Sequence, residues 1–336
     1  MNKIIFSSLI AIFLIGLSCD KDNPSDGGKS PCGGIDPLII PESPYSNPIW
    51  HPSGKFIGFN HTPLVNITYP YGEGCWGEQH FSYDSTGFWL IDSDGTNMHR
   101  IFPHTLQNPV WSPDGEWIAY VSGAQIFKMK FTGTTFDTAT IVQLTNGGRN
   151  FFPAWSPDGE WIAYNRSICE GPSTCGIWMM SASGQNQRFL AAYGNYPDWH
   201  RYATKVLYRT RAITRTGQPI GDSLWQFDIS TNSRGLLTVL SGINLDNRYP
   251  KYSPNGTKIA FWSSGNLWIM DSTGSNLLQL TTTGVDVDFG LPFSWSPVGD
   301  KIIYTRYQST DWTMKNGVLW TIDVNSKIEK QFTFNP

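Results

Sequence analysis

Short apolar segments alternate with polar turns along most of this chain, and the period predicts strands. Phe56-Ile57-Gly58-Phe59, Trp117-Ile118-Ala119-Tyr120-Val121, Trp161-Ile162-Ala163-Tyr164, Lys205-Val206-Leu207-Tyr208, Lys258-Ile259-Ala260-Phe261 and Lys301-Ile302-Ile303-Tyr304 are short, aromatic-rich or β-branched, and bounded by Gly, Pro, Asn and Asp. That is the pattern of strands joined by tight turns. The segments belong to a repeat. Pro48-Ile49-Trp50-His51-Pro52-Ser53-Gly54 is followed by Pro109-Val110-Trp111-Ser112-Pro113-Asp114-Gly115 and Pro153-Ala154-Trp155-Ser156-Pro157-Asp158-Gly159. Pro197-Asp198-Trp199-His200-Arg201, Pro250-Lys251-Tyr252-Ser253-Pro254-Asn255-Gly256 and Pro292-Phe293-Ser294-Trp295-Ser296-Pro297-Val298-Gly299 complete it. Pro fixes φ, and Asp or Asn before Gly accepts the positive φ of a tight hairpin. The fourth copy lacks that Pro and Gly, so its turn must differ.

A third segment with an aromatic at a fixed place follows each turn and strand, as in Phe88-Trp89-Leu90-Ile91-Asp92 and Leu319-Trp320-Thr321-Ile322-Asp323. A fourth follows a polar turn, as in Leu277 to Thr281. Copies are spaced between 43 residues (Tyr252 to Trp295) and 61 residues (Trp50 to Trp111). Four short strands per unit and six units predict an all-β six-bladed β-propeller of four-stranded antiparallel blades. One such unit cannot bury both faces, so neighbours must stack. The Trp-Ser-Pro-Asp-Gly and Ile-Ala-Tyr pattern resembles the TolB-type propeller repeat over about residues 45 to 335. The resemblance implies the fold and leaves function open, because propellers host unrelated activities. TolB carries an α/β domain before its propeller, and here a tether fills that place. The last unit owns all four strands, and Leu38-Ile39-Ile40 is the spare strand candidate for closing the ring.

Lys3 and the apolar run Ile4 to Leu17 read as a signal peptide over residues 1–18. Gly16-Leu17-Ser18-Cys19 resembles a bacterial lipobox, with the aliphatic residue one place late, and implies lipidation of Cys19. An ordinary cleaved signal is the alternative. Residues 19–36 form a polar, Gly/Ser/Asp-rich tether, and 37–336 the propeller. The expected place is the bacterial cell envelope, as an outer-membrane lipoprotein facing the periplasm or the surface. Outside the cytosol, Cys32, Cys75, Cys169 and Cys175 suggest two disulfides. Cys169 with Cys175 would close a tight loop, and Cys32 with Cys75 would pin the tether, but three pairings are open.

Charged residues are 15 % of the chain and net charge is −3, which argues against nucleic acid and polybasic membrane binding. The membrane partner is then the lipid anchor alone. Long insertions at 60–87, 166–176, 209–223 and 305–317 all fall on the face carrying the inter-blade and second-to-third-strand loops, which makes that face the expected binding surface. Inter-blade loops end at the channel mouth, so Tyr45, Asn47, Asn108, Arg149, Asn150, Phe151, Asn195, Asp246, Arg248, Asp286 and Asp288 are candidate ligand contacts. Arg166, Arg209 and Arg306 recur after the second strand and could grip a carboxylate or sulfate, or pair with the Asp residues. Twelve of the 15 Trp sit in repeat strands and read as core. Trp76, Trp262 and Trp312 are candidates for an aromatic platform, or for packing between loops.

No Gly-x-Ser-x-Gly elbow and no His-Glu-x-x-His motif occurs. His51 and His200 replace the repeat Ser and read as structural. No metal or cofactor is expected, and no catalytic residue is assigned. The sequence reading is an envelope binding or scaffold module for a protein, peptide or glycan. The alternatives are a polysaccharide lyase or hydrolase using the channel, and a purely structural envelope component.

Overall fold

The computed structural model describes residues 44–68, 78–167, 174–202, 204–213, 219–239, 248–263, 265–282, 292–306 and 317–333. They contain strands β1 to β26, in six four-stranded antiparallel sheets and one hairpin. The first sheet orders β1 (Tyr45–Trp50), β2 (Phe56–His61), β5 (Gly87–Asp92) and β6 (His99–Phe102). The hairpin of β3 (Leu64–Thr68) and β4 (Glu78–Phe81) is inserted between its second and third strands. The other five sheets repeat the order without insertion of a paired strand. The second strands are buried along their length: Ile118, Ala119, Tyr120 and Val121 are all in the core. A strand covered on both faces must have a neighbour on each side, and that is what stacking supplies.

The core is correspondingly divided. Six clusters of buried residues each join two adjacent sheets. The first sheet packs on the second through Phe88, Leu90, Trp111 and Ile118, and the sixth on the first through Ile303, Leu319, Tyr45 and Phe59. Each blade is built from strands of its own, so among the described residues the first and last blades meet by packing and share no strand. Polar clamps reinforce the seams. The Asn60 amide donates to the Leu106 carbonyl and accepts from the Leu106 N–H, both at 2.8 Å. Asn165 donates to the Gly194 carbonyl at 2.7 Å. At the closing seam Thr305 occupies the same strand position and its hydroxyl donates to the Tyr45 carbonyl at 3.2 Å, while the Trp50 N–H donates to Ser294 Oγ at 3.0 Å. Residues 38–40 lie outside the described residues.

The repeat turns interlock on the other face. Gly115 has φ +74°, and a Cβ there would strike the imidazole of His51. His51 Nε2 lies 3.1 Å from the Gly115 carbonyl and Nδ1 2.8 Å from Ser53 Oγ. His200 sits against Gly256 in the same way. Burial holds both imidazoles below the usual histidine pKa. These histidines seal blade seams. In the fourth blade, the second and third strands, β16 (Lys205–Ile213) and β17 (Pro219–Asp228), run through most of the expected 209–223 loop.

A candidate axial binding site

The innermost strands position the site. They are β1, β7 (Gln107–Trp111), β11 (Asn150–Trp155), β15 (Gly194–Trp199), β19 (Arg248–Tyr252) and β23 (Ser294–Trp295). In the first five, the residue before the repeat Pro is left-handed: Asn47 (φ 52°), Asn108 (φ 48°), Phe152 (φ 54°), Tyr196 (φ 53°) and Tyr249 (φ 54°). The register of every one of these strands slips at that point. A residue before Pro ordinarily stays extended, and a bulky side chain at positive φ costs about 1–3 kcal/mol. Asn tolerates the conformation; Phe and Tyr do not. The bulge turns all five side chains toward the axis. The sixth copy carries Pro292 one residue earlier, and its inner strand is two residues long.

These five residues line one axial cavity of about 170 Å³, with Pro109, Pro153, Pro197, Pro250 and Pro292 between them. Its walls differ. Phe152, Tyr196 and Tyr249 form a continuous aromatic side, with ring centroids 4.6 Å, 5.8 Å and 4.5 Å apart. Asn47 and Asn108 form the other side. Among the described residues each amide makes one hydrogen bond, at 3.4 Å: Asn47 Nδ2 donates to Ser46 Oγ, and Asn108 Oδ1 accepts from the Phe152 N–H. Ile49, Val110, Lys251 and Ser294 also line the cavity, with Trp50, Trp111 and Phe293. Lys251 Nζ is 3.7 Å from Asp198, whose carboxylate accepts the Tyr252 N–H at 2.8 Å. Burial raises the Asp198 pKa, with Lys251 opposing it.

Several residues expected at the mouth make contacts within the protein. Tyr45 is 2 % exposed and packs on Phe59 and His61. Asn150 is fully buried; it donates to Gln125 and the Gly147 carbonyl and accepts from Arg166 Nε. Arg166 stacks 4.3 Å over Trp178 and also bonds Tyr164 and Gln187. Arg306 stacks on Trp320 and pairs with Glu329 at 2.7 Å. Arg209, 7 % exposed, pairs with buried Asp222 at 2.8 Å and lies 5.9 Å from the Tyr196 ring. Trp262 is 8 % exposed, packed against Phe293 and Tyr304, so it is core and not a platform.

Asn108 is in the cavity. Phe151, Asn195 and Arg248 sit one residue before its lining residues, and the exposed Arg149 lies 6.0 Å from the Phe151 ring. Asp246, Asp286, Asp288, Trp76, Trp312, Cys19, Cys32, Cys75 and Cys169 lie outside the described residues; Cys175 is disulfide-bonded. Sequence reading named Asn47 and Asn108 and missed Phe152, Tyr196 and Tyr249. The signal was there: each immediately precedes the repeat Pro. Among the described residues no three His, Cys, Asp or Glu side chains cluster to hold a metal ion, and no helix is long and apolar enough to cross a membrane.

Comparison with known proteins agrees with this architecture. An uncharacterised protein of Agrobacterium fabrum (strain C58) is 27 % identical over 216 residues, covering 62 % of this chain and 68 % of that protein. The solved structure of a TolB protein from Agrobacterium tumefaciens, described there as putative, superposes with TM-score 0.55 at 19 % identity, covering 70 % of this chain and 84 % of that one. TolB from Acinetobacter baumannii gives TM-score 0.55 at 21 % identity, over 74 % of this chain and 59 % of that one. An oligogalacturonate lyase in complex with manganese gives TM-score 0.55 at 9 % identity, over 86 % and 93 %. At these identities the structures share the fold alone. The TolB β-propeller domain matches residues 80–335, and the chain belongs to that family.

Proposed function

We propose that this protein is a cell-envelope binding module, held by a lipid on Cys19, whose ligand enters the axial cavity. The carrying observation is the ring of Asn47, Asn108, Phe152, Tyr196 and Tyr249, which places two bulky aromatic types in a backbone conformation they disfavour and aims them at one cavity. Strain of that kind concentrates where a side chain must be presented. An apolar-lined concavity with a few convergent polar groups is the usual form of a binding site.

The experiment is site-specific photocrosslinking in the intact producing cell. A benzophenone side chain at Tyr249 inserts into nearby C–H bonds of any ligand class. The expected result is a discrete adduct from position 249 and none from Val298, which is 80 % exposed on the opposite face. Equal labelling from both positions, or none from 249, refutes the axial site.

A further inference from the structure

We infer that the axial cavity takes one saccharide ring, presented at the end or edge of a glycan. The inference rests on the axial-site reading above and adds the ligand's chemistry. Size is the first constraint. An interior cavity of roughly 150 Å³ accepts a ring the size of benzene, so a space of this size admits one ring, with the substituents of a larger one at its mouth. The axial cavity, at about 170 Å³, holds a group of that order and not a folded peptide segment.

Polarity is the second. A pyranose has an apolar C–H face and an edge of hydroxyls that both donate and accept. The cavity opposes Phe152, Tyr196 and Tyr249 to Asn47 and Asn108. Each amide offers two donors and one carbonyl oxygen, and among the described residues each uses one bond of 3.4 Å. An aliphatic or aromatic side chain in the same space would leave both amides against carbon, at a cost of about 1–3 kcal/mol per unpaired group. A ring with hydroxyls along one edge satisfies them while its other face meets the aromatic wall. Lys251, which also lines the cavity, adds a cationic donor beside its partner Asp198.

The backbone is the third. An extended peptide recognised in a propeller channel could add to the free edge of an inner strand, using main-chain donors and acceptors. Here each of five inner strands is bulged beside a Pro, which has no N–H to give. Ladder formation is interrupted at the level of the cavity in every one of those blades. Recognition is left to side chains, aromatic rings on one side and amides on the other, which match the apolar face and hydroxyl edge of a pyranose.

The test is saturation-transfer NMR on the detergent-solubilised full chain. The probes are free hexoses, N-acetylhexosamines and hexuronates at millimolar concentration, with N-acetyl-tryptophanamide and N-acetyl-prolinamide as peptide mimics. The expected result is transfer to a saccharide, strongest on the C–H protons of one ring face. The Asn47→Gly/Asn108→Gly double variant should reduce it at least tenfold, and so should Phe152→Gly. Glycine accepts the left-handed backbone without steric cost, so these variants keep the bulge. Transfer to the peptide mimics alone, to no saccharide, or to saccharides equally in the variants overturns the saccharide assignment. Crosslinking from position 249 separates the two readings. If it still yields a ligand adduct while saccharides fail, the axial site stands and the saccharide falls; if both fail, both fall.

Discussion

Replacing Asn60 by Ala should weaken the seam between the first two blades by more than any single-bond clamp. The Asn60 side chain is 4 % exposed and holds both backbone groups of Leu106, which is itself buried. Its Nδ2 donates to the Leu106 carbonyl and its Oδ1 accepts the Leu106 N–H, each at 2.8 Å. Ala leaves one buried donor and one buried acceptor without partners. Each costs about 1–3 kcal/mol, so the loss should be about 2–6 kcal/mol. Asn165 is the internal standard. It fills the equivalent place in the third blade, is likewise 4 % exposed, and makes one such bond, at 2.7 Å to the Gly194 carbonyl. Asn165→Ala should cost about 1–3 kcal/mol. Urea denaturation of both variants, compared at equal m-value, reads the difference. The two seams share no residue, so the double variant should lose the sum to within about 0.5 kcal/mol. A loss for Asn60→Ala no larger than for Asn165→Ala would refute the claim that two-way pairing of Leu106 holds this seam.

Other expectations follow from single features. Asp222→Ala removes a fully buried carboxylate 2.8 Å from the buried Arg209 guanidinium and should cost about 3 kcal/mol or more by the same assay, whereas a surface pair such as Lys130 with Glu116 at 4.0 Å should cost under about 1 kcal/mol. Burial raises the Asp198 pKa, so the native state binds its proton more tightly than the unfolded chain; the stability this gives is present at acid pH and is lost as pH rises through the raised value. Asp198→Asn lacks that dependence, so its melting temperature relative to wild type should climb between pH 4 and pH 7; a constant difference would show that burial is not the dominant cause. Gly115→Ala places a methyl against the His51 ring at positive φ and should lower the melting temperature by several degrees, with a smaller effect in the His51→Ser background. Cys19→Ala should release the protein from membranes on fractionation; unchanged membrane association would refute the lipid anchor.

The candidate site shows where sequence reading loses information. Asn47 and Asn108 were legible as channel-mouth residues because they end inter-blade loops. Phe152, Tyr196 and Tyr249 occupy the same repeat position but carry no assignment in the sequence reading, since an aromatic in a propeller strand is ordinarily core. The arginines illustrate the opposite ambiguity. Arg166, Arg209 and Arg306 recur at strand ends, and recurrence alone does not distinguish a ligand clamp from a side chain stacked on the tryptophan of the next strand or paired to a buried acid. Trp262 looked available because it ends a strand, but the following blade covers it.

What the sequence determined by itself is the fold: strand length, turn chemistry and six copies of one unit admit little besides a ring of four-stranded blades. These are local properties, and the period of the pattern carries them. The tertiary structure decided which residues the axis receives. The bulge at the repeat Pro in five of the six copies, and the left-handed residue it creates, arise only when an inner strand pairs with its neighbour out of step. That slip turns a side chain by half a strand period, from a blade face to the channel. The repeat Pro marks the position in the sequence, but the direction of the side chain is set by the slip, because the same residues in an unslipped strand would point into the core.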